Sequence, residues 1–352
     1  EPPPPTGVSP EVVDYLATRY VGRPYTADLE SGTTTLDGGF RWPRAVTRGS
    51  GGGRERLLLH GRVYLPESAQ PEDASDVEGP LRLPRAVMIP NEGGPLIYRL
   101  ILGGKFRMGD PDPQNKESHP DHEVALSTYY LQEKETTVAQ FEAVRKRFGR
   151  DWGGLASYEA MLSQRGFPGD PEQGKYPVAD APRAACVEFA RILGARLPTE
   201  AQWEFAASSR GVRRPYVWKA DDAGRRDNAN VEALLHEFPD LVGSFPNDRT
   251  LEGVYDMAGN VREWCRDEWK YYRIDRQVDP VIGVETRSTL YSIHGGSFAT
   301  SANTAAVTYR ASTGRYEYSA DDRTPIPDVG FRTVLEVVEA GDLGRPAAAA
   351  VE

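Results

Sequence analysis

The stretch of sequence that decides the fold begins with His294-Gly295-Gly296-Ser297-Phe298 and closes with Val329-Gly330-Phe331-Arg332. We call residues 295–332 the terminal segment. It contains no cysteine, and small polar residues are mixed in it with Tyr309, Tyr316 and Tyr318. This composition suits a ligand-binding surface, because tyrosine supplies rigid amphipathic area at low entropic cost while Ser, Thr and Asn supply adaptable hydrogen bonds.

Other short motifs precede the terminal segment. They are Gly103 to Gly109, Glu135-Thr136-Thr137, Tyr176-Pro177-Val178, Leu197 to Glu204, Val242 to Asn247 and Gly253 to Trp264. One short motif would be weak evidence, whereas this many in order is strong evidence. Together they resemble the formylglycine-generating enzyme (sulfatase-modifying factor) superfamily over about Tyr98 to Leu335. The resemblance implies an α+β, C-type-lectin-like (formylglycine-generating-enzyme-like) fold that is rich in loops.

The chain divides into three predicted parts. Residues 1–95 are predicted to be a proline-rich tether followed by a small β-rich subdomain, residues 96–338 the lectin-like domain, and residues 339–352 a flexible tail. Ser9 and Pro10 predict the start of a short helix.

The first part also contains a weak repeat. Arg41-Trp42-Pro43-Arg44-Ala45-Val46 recurs as Arg82-Leu83-Pro84-Arg85-Ala86-Val87. Two copies are too few for a solenoid, so we interpret them as related β-hairpins, with coincidence as the open alternative. Between the glycines at 51–53 and the loop that starts at Pro66, Leu57 to Leu65 is predicted as a strand.

Three helices are predicted in the larger part. Thr137 to Phe148 and Pro182 to Leu193 carry apolar residues at helical spacing. A third helix starts at Thr199, because Thr199 and Gln202 have the spacing of a capping box. Tyr98 to Met108 is predicted as strand, turn and strand, and a further strand is expected near His122.

Charge and composition exclude several function classes. The 352 residues carry a formal net charge of -10. A nucleic-acid partner is therefore not expected, since such binding needs a basic stripe that displaces counterions from phosphates. No apolar run is long enough to span a membrane. The chain begins with Glu1 and not methionine, so we expect that something upstream was removed; the compartment stays open, with a cytoplasmic one favoured over surface display.

Redox chemistry is not expected either. The resemblance implies that a copper-dependent oxidase would hold Cu(I) with two thiolates shortly after the Gly-Gly-Ser, where this chain has Ala299 to Ala305. The chain's Cys186 and Cys265 lie elsewhere and are expected to be buried thiols. Iron-dependent members need three histidines, and the one candidate cluster, His119-Pro120-Asp121-His122, is more typical of a solvated loop before a strand. We therefore expect no copper, no iron and no catalytic residues.

Calcium is the one metal that the resemblance supports. It implies a structural calcium held by the side chains of Asp256 and Glu263 and by the backbone carbonyls of Gly259 and Val261, and hard oxygen ligands at this spacing suit the ion. The alternative is that Asp256 and Glu263 only hydrogen-bond the loop backbone.

The lack of thiols favours a binding function. The superfamily includes the variable proteins of diversity-generating retroelements, in which adenine-directed mutation scatters substitutions through this segment without readily producing Lys, Gln, Glu, Met or Trp. Between Ala299 and Asp328 only Glu317 belongs to that set. We predict that a protein or other macromolecule binds the surface of residues 299–328, through Ala299, Thr300, Ser301, Asn303, Thr304, Thr308, Tyr309, Tyr316, Tyr318 and Asp321.

Three alternatives stay open at this point. In the first, the tyrosines pack in the core and the small residues line an inert loop. In the second, the chain is an enzyme of the same superfamily. In the third, it is the accessory domain of a signalling kinase.

Under the binding hypothesis, Ala302, Ala305 and Arg310 are scaffold positions.

Overall fold

The computed structural model describes residues 69, 83–152, 172–218, 228–231, 238–283, 290–312 and 323–339, together with the backbone of short strands within residues 25–78. The predicted helix at Ser9 lies outside this range. No helix among the described residues is long and apolar enough to cross a bilayer.

The regular elements are short and mostly strands. Nine precede residue 85: Tyr25–Asp28 (β1), Thr33–Leu36 (β2), Arg41–Pro43 (β3), Ala45–Arg48 (β4), Glu55–His60 (β5), Val63–Pro66 (β6), Gln70–Pro71 (β7), Val77–Glu78 (β8) and Leu83–Pro84 (β9). The others are Ala86–Ile89 (β10), Leu96–Ile101 (β11), Gly104–Met108 (β12), His122–Leu126 (β13), Tyr129–Gln132 (β14), Arg262–Glu268 (β15), Gln277–Val278 (β16), Tyr291–His294 (β17), Arg310–Ser312 (β18), Val329–Gly330 (β19), Val334–Glu336 (β20) and Val338–Glu339 (β21). The α-helices are Val138–Arg147 (α1), Arg183–Ile192 (α2) and Glu200–Ala207 (α3), with 3₁₀ turns at Gln173–Lys175 and Ala302–Ala305.

All three predicted helices are confirmed. Thr137 caps α1 and Thr199 caps α3, each in a full capping box with the glutamine three residues later. Each cap satisfies backbone donors that the first helical turn leaves unpaired. Helix α2 follows Pro182, whose fixed φ suits a helix start.

Helices α1 and α2 pack beside the largest sheet, which has the strand order β20-β14-β11-β10-β7. The contact is aromatic: the Phe141 and Phe189 rings stack with their centroids 5.7 Å apart, and Phe331 meets Phe189 edge-on at 5.2 Å. Phe331 belongs to the terminal segment, so the end of that segment is held in the main core. The lectin-like α+β fold predicted from the motifs is confirmed.

A second sheet brings both ends of the terminal segment together. Its strand order is β18-β17-β15-β19. His294 pairs with both Glu263 and Arg310, and Glu263 pairs in parallel with Gly330. The chain therefore leaves this sheet at His294 and rejoins it at Arg310 and again at Val329.

The N-terminal strands correct one prediction and clarify another. Leu57 to Leu65 is not one strand, because β5 and β6 form an antiparallel pair with His60 opposite Val63. The missed signal is Gly61, a residue type that favours turns. In both copies of the weak repeat the strand breaks after the proline: β3 and β4 lie in different sheets, as do β9 and β10.

The boundary predicted at residue 95 crosses a continuous sheet. Strand β10 pairs with β11 on one side and with β7 on the other. Val87 and Ile89 of β10 are buried in the same core as Leu96. The independence of residues 1–95 stays a prediction, as does the flexible tail.

Candidate functional site

Two glycines let the terminal segment start against a neighbouring loop. Gly295 has a φ of 80°, in the left-handed region that favours glycine. A Cβ on Gly296 would lie 2.7 Å from the carbonyl oxygen of Ala258 and 2.7 Å from the Thr304 hydroxyl. A side chain at Gly296 would therefore force the segment away from the loop at Ala258.

Ser297 then ties the start of the segment to its end. Its hydroxyl donates to Asp328 at 2.6 Å, and Asp328 accepts two further hydrogen bonds from the Arg262 guanidinium at 2.5 and 2.9 Å. All three side chains are buried. Hydrogen bonds that involve ionised groups are shorter and stronger than neutral ones, so this triad fixes where the segment leaves the sheet.

Two threonines hold the turn that follows. The Thr300 hydroxyl accepts from the Ser297 N–H at 2.8 Å and lies 2.8 Å from the Thr304 hydroxyl. Thr304 also donates to the carbonyl of Ser301 at 2.7 Å. The short 3₁₀ turn is thus braced from inside by side-chain hydrogen bonds.

The braced turn presents three of the predicted binding residues to solvent. Ala299, Ser301 and Asn303 are exposed, and Thr300 is half-buried. Thr304 is a correction: the sequence placed it on the binding surface, but it is only 7 % exposed because its hydroxyl is used within the turn. We call Ala299, Ser301 and Asn303 the exposed tip.

The next predicted residues lie against a second loop. Thr308 and Tyr309 are half-buried. The Ser118 hydroxyl donates to the Thr308 carbonyl at 2.6 Å, so residues 110–122 form one wall beside the segment. Tyr316, Tyr318 and Asp321 lie outside the described residues.

The predicted scaffold positions are buried or partly buried. Ala305 and Arg310 are buried, and Ala302 is partly buried against the core. Arg310 donates to both oxygens of Glu200 at 2.8 and 2.9 Å, and its guanidinium lies 4.1 Å from the centre of the Tyr272 ring. Burial alone would raise the pKa of Glu200, but the Arg310 charge and a hydrogen bond from His294 hold it below its ordinary value.

Unpartnered polar atoms surround this ion pair. Glu204 Oε1 accepts from the Gly109 N–H at 2.7 Å, while Glu204 Oε2, the Tyr272 hydroxyl and His294 Nδ1 are buried without a hydrogen-bond partner. Burial raises the pKa of Glu204 to about 8, so this carboxyl is largely protonated at neutral pH. Burial also lowers the pKa of His294, which keeps the imidazole neutral.

A second buried ion pair lies in the predicted calcium set. Both oxygens of Glu263 accept from Arg332, at 2.6 to 2.8 Å, and one also accepts from the Trp203 indole at 2.9 Å. Asp256 Oδ2 accepts instead from the Gly243 N–H at 2.6 Å. With Arg332 already neutralising Glu263, this arrangement does not fit Glu263 as a calcium ligand; binding of the ion itself stays a prediction.

The loop that would supply Gly259 and Val261 is held by other carboxylates. Asp248 accepts from the N–H groups of Met257, Ala258 and Gly259 at 3.0 to 3.1 Å. Glu135 accepts from the N–H of Val261 at 3.0 Å. No group of three or more potential metal-binding side chains occurs within the described part of the chain.

Neither thiol is placed for chemistry. Cys186 and Cys265 are free and buried, and burial raises the pKa of both. A thiol in this state carries almost no nucleophilic thiolate. The strand expected near His122 is confirmed as β13, but the His122 side chain, predicted to be solvated, is buried and packs on Tyr272 with ring centroids 5.0 Å apart.

Sequence reasoning missed several residues that build the site. They are Glu200, Glu204, Asp328 and Glu135, all of them buried acids. A signal was available for the first two, since two glutamates four residues apart alternate with Ala201, Trp203 and Phe205 in an otherwise apolar helix. A charge on an apolar helix face needs a buried partner.

Comparison with known proteins confirms the family predicted from the motifs. Residues 98–337 match the family model described as a sulfatase-modifying factor enzyme 1-like domain. The chain is 32% identical over 188 residues to the serine/threonine-protein kinase Pkn1 of Chlamydia trachomatis, an alignment that covers 50% of this chain and 29% of the kinase. It therefore spans less than a third of the length of that relative.

One further relative and one solved structure bear on the interpretation. The formylglycine-generating enzyme of Streptomyces coelicolor is 28% identical over 236 residues, which cover 51% of this chain and 72% of the enzyme. The structure of Treponema denticola variable protein 1 superposes with a TM-score of 0.56 at 21% identity, covering 70% of this chain and 97% of that chain. At this identity the structural likeness establishes the fold alone.

Proposed function

The chain belongs to the sulfatase-modifying factor enzyme 1-like family, and from this premise we propose that it is a non-catalytic member. In this proposal it is a variable protein of a diversity-generating retroelement, and it binds a protein or other macromolecule through the surface of residues 299–328. Neither copper nor iron takes part.

The proposal rests on one observation: the buried residues that hold the terminal segment in place are different from the residues of the exposed tip. Ser297, Asp328 and Arg262 fix the base of the terminal segment through buried hydrogen bonds, and the Thr300–Thr304 pair braces its turn. Ala299, Ser301 and Asn303 project from this base into solvent. Such residues can change without loss of the hydrogen bonds below them, which is what a diversified binding surface requires.

The positions of the cysteines support the proposal that the protein is not a catalyst. The exposed tip contains no cysteine, and the chain's two thiols are buried within α2 and β15. An incubation of the protein with a cysteine-containing peptide and either copper or iron should give no oxidation above a heat-killed control. Turnover above that control would end the non-catalytic proposal.

A tolerance experiment tests the binding part. We would randomise Ala299, Ser301 and Asn303 together and display the library, beside a matched library at Lys146, Arg147 and Phe148 at the end of α1, which are also exposed. Selection on a panel of folded proteins should enrich binders from the tip library and not from the control. Loss of folding across the tip library, or equal enrichment from both, would contradict the proposal.

The genomic context of the gene provides an independent test of whether the terminal segment is diversified. A template copy of the terminal segment beside a reverse-transcriptase gene would support diversification. Sibling proteins that are identical at Ala299, Ser301 and Asn303 would argue against it.

A second candidate is favoured by one specific observation. The similarity to a chlamydial kinase lies in a part that makes up under a third of that protein. The chain would then be the accessory domain of a signalling kinase, and the full gene would encode a kinase domain. If the full gene encodes no kinase domain, this candidate is excluded.

A further inference from the structure

A cavity lined by arginines lies at the other end of β17 from the exposed tip. It has a volume of about 280 Å³, is open to solvent on one side, and is bordered by α2, β15 and the start of β17. Its charged lining residues are Arg183, Arg191, Arg196, Arg266 and Glu268. The whole chain has 42 basic against 52 acidic residues, so four arginines to one glutamate is a local reversal of the chain's charge balance.

We propose that this cavity binds the phosphate group of a phosphate ester. Guanidinium groups form paired, directional hydrogen bonds with phosphate oxygens, and a phosphate has enough oxygens to engage arginines that approach from different elements. A single carboxylate would need only one or two of them.

One arginine is fixed in place before any ligand arrives. Arg183 donates to the carbonyls of Cys265 and Arg266 at 3.2 and 2.6 Å, and its guanidinium lies 3.8 Å from the centre of the Tyr291 ring. Its charge is thereby held at the buried end of the cavity. Fixing a charged group in advance reduces the entropy lost on binding.

Two other arginines stand at the solvent side. The Arg191 side chain is 44% exposed and lies 3.8 Å from Glu188, and Arg266 lies 3.6 Å from Glu336 with 26% exposure. Solvent screens ion pairs between partly exposed side chains, so each of these two contacts contributes little to stability. Both side chains reach solvent beside the cavity, so an incoming phosphate can approach their charges from outside.

The remaining wall suits the organic part of an ester. Val187 and Leu197 line the cavity, and Val187 is 40% exposed. The volume exceeds what inorganic phosphate alone would fill, so a small apolar group attached to the phosphate would contact this wall.

Titration calorimetry with three probes tests the proposal: inorganic phosphate, phenyl phosphate and a phosphoserine peptide, each at low salt because screening weakens exposed charges. We expect saturable binding of phenyl phosphate or of the peptide, and Arg191→Gln/Arg196→Gln should weaken it by about tenfold or more, which is about 1.4 kcal/mol. Tighter binding of the peptide would identify a protein source for the ester, and tighter binding of phenyl phosphate a small-molecule source.

The control is Arg147→Gln, which removes an exposed arginine from α1 and should leave affinity unchanged. If the double variant does not fold, Arg191→Gln alone keeps the test open, because that side chain is largely at the surface. The absence of saturable binding, equal binding of benzoate as a carboxylate control, or equal loss in Arg147→Gln would overturn the site. The exposed tip takes no part in it, so its failure leaves the proposed function untouched.

Discussion

Two buried glutamate–arginine pairs join the terminal segment to the rest of the fold, and they differ in whether the polar atoms around them have hydrogen-bond partners. Glu263 accepts from Arg332 and Trp203, and Arg332 also donates to the carbonyls of Gln132, Glu133, Tyr255 and Asp256. Glu200 accepts from Arg310, and Arg310 donates to the carbonyls of Glu117 and Lys270. Around this second pair, His294 Nδ1, Glu204 Oε2 and the Tyr272 hydroxyl have no partner.

This difference indicates that the Glu263–Arg332 pair is a structural centre and that the Glu200–Arg310 pair is an adjustable one. Arg332 connects β14, the loop at Asp256 and β15, so the first pair holds together elements that are far apart in sequence. The second pair lies where the terminal segment rejoins the sheet at Arg310. A buried network in which every polar atom has a hydrogen-bond partner rigidifies a fold. A buried polar atom without a partner raises the free energy of the folded state, and a substitution that removes it can lower that free energy again.

The largest expected effect comes from breaking the first pair. Arg332→Met should lower the free energy of unfolding by about 3–5 kcal/mol, because it leaves Glu263 as a buried charge without a cation. It also removes one donor from each of four carbonyls, of which that of Glu133 keeps the N–H of Tyr255. Chemical denaturation of the variant, beside Arg147→Met as a control for simple loss of an exposed arginine, measures the effect. A loss no greater than that of the control would show that the pair holds nothing together.

Arg310→Met should cost less, about 2–3 kcal/mol. Glu200 would keep the hydrogen bond from His294, found at 3.2 Å, and only two carbonyls would lose a donor. The same denaturation experiment, run side by side, ranks the two variants. If Arg310→Met proved the more damaging, the division between a structural and an adjustable centre would be reversed.

These two pairs also show where sequence reasoning stops. The helix starts at Thr137 and Thr199 could be predicted because a capping box is a contact between residues three apart. The ends of the terminal segment could be predicted from a resemblance. Glu200 and Arg310 are 110 positions apart, and nothing in the local pattern says which arginine each buried acid meets. Thr304 was misplaced for a related reason: a threonine can point into its own turn or out of it.

A third variant, Glu204→Gln, is expected to raise the free energy of unfolding. Because burial raises the pKa of Glu204 from an ordinary 4.5 to about 8, the folded protein holds a proton that the unfolded chain releases between these values. This group therefore makes stability fall as pH rises through that window. Glu204→Gln removes the titration and keeps an oxygen for the Gly109 N–H. Relative to the unmodified protein, the variant should gain about 1.4 kcal/mol of stability for each unit by which the pH rises between pH 5 and pH 8.

Thermal unfolding midpoints at several pH values measure this gain. Asp248 and Asp256 also have a pKa raised by burial, to about 8 and about 7, so the unmodified protein loses stability over the same range for more than one reason. The difference between Glu204→Gln and the unmodified protein isolates the one group. Parallel pH curves would show that Glu204 does not titrate in this window.

The smallest effect is expected at the exposed tip. Ser301→Ala and Asn303→Ala should each change the free energy of unfolding by less than about 0.5 kcal/mol, because these side chains are exposed. Ser297→Ala, only a few residues earlier, should cost about 1.5–3 kcal/mol, because it removes a buried hydrogen bond to the Asp328 carboxylate. Denaturation of the three variants under one set of conditions gives the contrast. If the tip variants cost as much as Ser297→Ala, the tip would be part of the support, and a surface free to vary would have to be sought elsewhere.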